Sequence, residues 1–131
     1  MKVSELKQVK KQAEQQYKKY EHEPDYYPQT QSTLGVIMIG DIAVSKGQYE
    51  RAYESYWEVL RRIECFPLGG QKIDEAEPEE YKQYALTRLE RLVKKIDQDK
   101  TFTVHKYKHR HYGLGEIKDL AKELIEKYNK R

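Results

Sequence analysis

Gly40, Gly47 and Ala52 constrain this chain more than any other residues. They stand in the run LGVIMIGDIAVSKGQYERAYESYWEVLRRIECFP, residues 34–67. Residues Leu34 to Val44 are apolar on most sides, the pattern of the most buried helix of a small protein. Their Val and Ile content also suits a strand, but the length of the run and the Gly47 that follows favour a helix. After Gly47, Tyr49, Ala52, Tyr56, Val59 and Leu60 recur at helical spacing. A small residue inside one helix, a glycine between two helices and an alanine inside the second are what two closely crossed antiparallel helices require. The expectation is that the helix axes touch where Gly40 meets Ala52, that Gly47 takes a positive φ, and that Tyr56 fills the gap above the small pair.

The flanking segments read as further helices. Leu6, Val9, Ala13, Tyr17 and Tyr20 make a narrow apolar stripe on a helix from Ser4 to about Tyr20, ended by Pro24 and Pro28. Residues 24–31 read as a linker. The second helix reaches Lys46, and the third runs from about Gln48 to Cys65, where FPLGG stops it; residues 66–77 are a loop. Pro78 opens a fourth helix to about Asp97, with Tyr81, Tyr84, Ala85, Leu89, Leu92, Val93 and Ile96 on one face. TFTVHKYKHRHY, residues 101–112, is rich in strand formers and reads as one short extended segment or a short hairpin, which Gly113 and Gly115 break. A fifth helix follows from Glu116 to about Lys127, with residues 128–131 frayed. The predicted fold is mainly α: a single domain over 1–131, a compact bundle of about five helices around a central antiparallel hairpin.

Tyrosine dominates the aromatic residues, with 12 Tyr against 2 Phe and 1 Trp, while 36% of the chain is charged. A tyrosine ring buries apolar area and keeps its hydroxyl hydrogen-bonded. Tyr17, Tyr20, Tyr53, Tyr56, Tyr81, Tyr84 and Tyr128 are therefore expected at the boundary of a thin core. The single cysteine, Cys65, permits no internal disulfide, which suits a reducing cytosol. The N-terminal residues carry no apolar run of the kind that starts a signal peptide, and Val36–Ile39 is too short for a bilayer. The expected location is cytoplasmic, with no membrane partner.

Residues 34–60 resemble a tetratricopeptide repeat. Val36, Ile39 and Gly40 stand where that family's first helix carries a large apolar residue and a Leu-Gly pair. Gly47 and Tyr49 match its turn, and Ala52, Tyr56 and Val59 its second helix. Val36 replaces the usual Trp, Ala43 a common Tyr, Val59 is larger than the usual Ala, and the closing proline comes late, at Pro67. The resemblance covers one hairpin. It implies a binding scaffold with Ile37, Asp41, Val44 and Ser45 as the partner-binding positions on the inner face of the first helix; read as residues alone, Ile37 and Val44 suit the core better. The Lys and Asn set that clamps a terminal carboxylate in part of that family is missing.

A second cluster lies at 100–112. If extended, His105, Tyr107, His109 and His111 share one face, and Lys106, Lys108 and Arg110 the other. Lys106, Tyr107, Lys108, Arg110 and Tyr112 suit a phosphate backbone or a single strand, with the rings free to stack. The same residues also suit a charged edge strand that resists aggregation. His109 and His111 could chelate a metal, but no Cys or acidic residue lies nearby in sequence, so no metal is assigned. A helix-turn-helix reading of residues 41–56 fails because Glu50, Glu54 and Glu58 would face phosphate. No Gly-rich phosphate loop, nucleophile elbow or paired metal motif occurs.

These observations point to a non-catalytic protein–protein interaction module without a cofactor: an adaptor, an inhibitor or a regulatory subunit. Its partner is another protein or a second copy of the chain. The alternative is a nucleic-acid-associated protein using segment 100–112. The net charge of +3 is too mild to decide for nucleic acid.

Overall fold

The computed structural model describes residues 3–22, 33–69, 78–99, 106–109 and 113–129. They form five helices and one hairpin: α1 (Val3–His22), α2 (Thr33–Ser45), α3 (Tyr49–Gly69), α4 (Pro78–Gln98), β1 (Lys106–His109), β2 (Gly113–Glu116) and α5 (Ile117–Asn129). Each helix packs on the next in chain order, and α2 also meets α4, as α3 meets α5. The result is the expected mainly α bundle with the α2–α3 hairpin at its centre.

The hairpin turns tightly. Gly47 has φ +72°, a conformation that costs an L side chain dearly and a glycine nothing. Around it, Gly47 N–H donates to the Val44 carbonyl at 3.0 Å and Gln48 N–H to the Ala43 carbonyl at 2.9 Å. These bonds occupy carbonyls that a helix end otherwise leaves without partners.

Small and large residues alternate across the core. Ala13, Ala43, Ala52, Ala85 and Ala121 are buried beside Leu60, Leu89, Leu92, Ile117 and Leu124. The tyrosines go deeper than expected. Tyr17, Tyr49, Tyr53, Tyr56 and Tyr81 lie between 1% and 2% exposed, so they are core residues and not its rim. Their hydroxyls make this affordable, because each of three finds a partner on another element or turn. Tyr17 Oη donates to Gln48 Oε1, Tyr49 Oη to Asp99 Oδ2, and Tyr56 Oη to Asp41 Oδ1.

One expectation holds, Tyr56 filling the gap at Gly40: the three atoms nearest to where a Cβ on Gly40 would stand all belong to the Tyr56 ring, the closest at 2.5 Å. The small residue therefore accommodates a ring. Other expectations are corrected. α3 does not stop at FPLGG but carries Pro67 in its last turn and ends at Gly69. Proline's own φ is helical, and its cost is a single lost bond, the one its nitrogen cannot donate to the Ile63 carbonyl one turn earlier. Gly113 and Gly115 do not break the extended segment; they belong to its second strand. β1 and β2 pair antiparallel, Lys106 opposite Glu116 and Tyr107 opposite Gly115. Gly115 fits there because a Cβ would stand 3.2 Å from the Leu120 side chain, a close approach that glycine relieves. Glu58 is buried and paired, with Arg61 Nη2 at 2.6 Å and Arg62 Nε at 3.3 Å from its Oε1.

α1 docks inside its own chain, on α2. Ala13 and Tyr17 are buried, and the C-terminal ends of the two helices meet through Lys46 Nζ and Glu21 Oε1 at 2.6 Å.

Candidate functional site

α2 holds a single charged side chain, Asp41, in 13 residues. α1, α3 and α4 all pack on it. Its buried side consists of Gly35, Val36, Ile37, Ile39, Gly40 and Ala43. The opposite side follows from helical spacing: Leu34, Met38 and Ile42 fall one above another, with Asp41 and Ser45 beside them. Leu34, Met38 and Ile42 are only partly buried, and Ser45 is exposed.

Asp41 ties this face to two other helices. It accepts Tyr56 Oη from α3 at 2.6 Å on Oδ1. It also accepts Arg88 Nε from α4 at 2.9 Å on Oδ1 and 3.0 Å on Oδ2. Burial, and then the Asp41 carboxylate, push the Tyr56 phenol far above its ordinary range, while the cations of Arg88 and Arg91 pull the other way. Tyr56 is thus a neutral donor at any ordinary pH, and Arg88 supplies the counter-charge of Asp41.

Arg88 begins a second feature. Tyr84, Arg88, Arg91 and Lys95 follow one another at helical spacing along α4. Tyr84 is 44% exposed, the one large apolar side chain so exposed among the described residues. Tyr84 thus lies at the core boundary expected for it, edge-on to Tyr81 with ring centroids 6.2 Å apart. The Arg88 guanidinium lies 5.8 Å from the centre of the Tyr84 ring.

The four partner-binding positions expected from the sequence do not form one open face. Ile37 is 1% exposed and packs in the core. Val44 is partly buried. Ser45 is exposed, but its hydroxyl donates back to the Ile42 carbonyl at 2.6 Å. Asp41 and Ser45 share the outward face, whose other members, Met38 and Ile42, the sequence reading did not single out. The spacing of Leu34, Met38 and Ile42 was visible, but in a helix apolar on most sides it could not mark which side remains open. Tyr84-x3-Arg88-x2-Arg91-x3-Lys95 was readable as one stripe.

Of the alternative nucleic-acid set, Lys106, Tyr107 and Lys108 lie in β1; Arg110 and Tyr112 lie outside the described residues. The hairpin stands at the end of the bundle where α4 finishes and α5 begins, an end closed by Lys118 Nζ on Asp97 Oδ1 at 2.7 Å. Lys106 pairs in register with Glu116, so an acidic residue accompanies the basic strand.

Among the described residues no three His, Cys, Asp or Glu side chains gather as a metal site, and no helix is long and apolar enough to cross a membrane. No protein-family model, no curated protein and no solved structure matches the chain.

Proposed function

We propose that this chain is a non-catalytic protein–protein interaction module, a small adaptor, inhibitor or regulatory subunit, which meets its partner over the outward face of α2. One observation carries the reading. Three helices already pack on α2, yet Leu34, Met38 and Ile42 stay only partly buried on its remaining side. In a chain of which 36% is charged, a nearly uncharged helix with apolar residues left at its surface is the feature that a partner would cover.

The test compares the wild-type chain with Met38→Asp in affinity capture from a native lysate, each with and without nuclease. Met38 is chosen over Ile37 because a charge at Ile37 would enter the core and unfold the protein. The reading expects proteins that survive nuclease and high salt and are lost with Met38→Asp while helicity is retained. Co-purification of a differently tagged copy, lost with the same variant, makes the partner a second copy of the chain. Material that disappears with nuclease, or with Lys106, Lys108 and Arg110 changed to Ala, favours nucleic acid instead.

A further inference from the structure

The α2 face and the α4 stripe adjoin, and together they have a chemistry that neither has alone. Asp41 and Arg88 join the two helices at 2.9 Å. On the α2 side of that bond stand Met38 and Ile42, apolar and partly buried. On the α4 side stand Arg91 and Lys95, both exposed, with Tyr84 at the near end of the row. Asp41 already answers the charge of Arg88. No carboxylate among the described residues is paired with Arg91 or Lys95. Glu90 points away from the row by helical spacing, Asp97 is held by Lys118, and Asp99, one turn beyond Lys95, accepts from Tyr49.

We infer that this shared face takes an acidic, amphipathic helical segment of a partner protein, its apolar side on Met38 and Ile42 and its carboxylates on Arg91 and Lys95. The inference rests on the interaction-module reading and adds the chemistry of the partner. A helix laid along α2 presents apolar anchors every third or fourth residue, which match the spacing of Met38 and Ile42. Cations flank that line on its α4 side, so carboxylates on that flank of the incoming helix meet opposite charge, and lysines there meet like charge. A nucleic acid fits less well, because it offers phosphate along its whole length and has no use for the apolar row. Tyr84 adds a large ring with a polar tip, the kind of residue that anchors interfaces.

The experiment displays two peptide libraries of about 15 residues, a length which as a helix matches the ~20 Å of α2. Both carry Leu, Ile or Phe at every third and fourth position; one has Glu and Asp elsewhere and the other has Lys and Arg. Each is selected against the wild-type chain, Arg91→Glu/Lys95→Glu and Met38→Asp. Circular dichroism verifies that each variant is folded, and for the first this is expected because both side chains are exposed. The inference expects enrichment of the acidic library alone, with binding of the selected peptides weakened about tenfold or more by the double charge reversal and also lost with Met38→Asp. Equal enrichment from both libraries, or acidic peptides that ignore the charge reversal, overturns it. Enrichment of the basic library, lost with Met38→Asp, overturns the acidic partner while leaving the α2 face as an interface. Enrichment from neither library overturns both readings.

Discussion

The ring of Tyr56 occupies the space that a side chain on Gly40 would need: a Cβ there would stand 2.5 Å from Cε1 and 2.9 Å from Cζ. The same ring is held from its other end, because its hydroxyl donates to Asp41, the residue next to Gly40. Tyr56 therefore cannot swing aside without giving up that bond.

Gly40→Ala is expected to destabilise the fold by about 1–3 kcal/mol, the usual cost of overpacking a filled core. Urea unfolding measures it. In a Tyr56→Leu background the same change should cost clearly less, since the clashing atoms are gone. Equal costs in the two backgrounds would separate Gly40 from Tyr56.

Alkaline pH should weaken the fold through buried phenols. Burial, and then the Asp99 carboxylate, push Tyr49 up from 10.0 to about 12, and burial raises Tyr17 as well. Between pH 10 and 12 the folded chain keeps the Tyr49 proton that the unfolded chain has lost, so stability is full below the unfolded value and falls as pH rises. The slope is about 1.4 kcal/mol per pH unit for each such tyrosine. Tyr49→Phe should make the decline shallower by one tyrosine over this window. Denaturant midpoints followed with phenolate absorbance would reveal it.

Asp41 and Arg88 should couple weakly and in a salt-dependent way. The Asp41 side chain is 42% exposed and that of Arg88 28%, so water screens much of their attraction. A double-mutant cycle of Asp41→Asn and Arg88→Met is expected to return about 0.5–1 kcal/mol at low salt and less at high salt. Tyr56→Phe, which removes the buried hydroxyl that donates to Asp41, is expected to cost about 1–2 kcal/mol with little salt dependence.

At Gly47 only the backbone is at stake. No atom lies within 4 Å of where its Cβ would be, so crowding plays no part. Gly47→Ala should cost about 1–2 kcal/mol from the positive φ alone, and Gly47→Asn less, because Asn tolerates that conformation. Thermal unfolding of the two variants distinguishes strain from lost contacts.

Local signals carried the helices. Pro78 opens α4 as expected, the positive φ fell on Gly47, and four of the five helices end within a few residues of the expected positions. α3 is the exception, because a proline near a helix end is a weaker stop than one in its interior. The glycines of β2 misled for a related reason: glycine usually interrupts a strand, but here Gly115 lets Leu120 approach.

The candidate site was legible only in part. Asp41 and Ser45 were named and do share the outward face of α2, but Ile37, named with them, is in the core. Tyr84 was expected at the core boundary and stands there, 44% exposed.

By itself the sequence determined where this chain turns helical and where it bends, because propensity, capping and helical period act over a few residues. Only the tertiary structure decided which neighbour covers each face. It set the Tyr56 ring on Gly40, drew Arg88 onto Asp41 across 47 residues of chain, and left Met38 and Ile42 only partly buried. The physical reason is that helical period marks how much of a helix is apolar, whereas the packing of the other helices determines which part of that surface stays open.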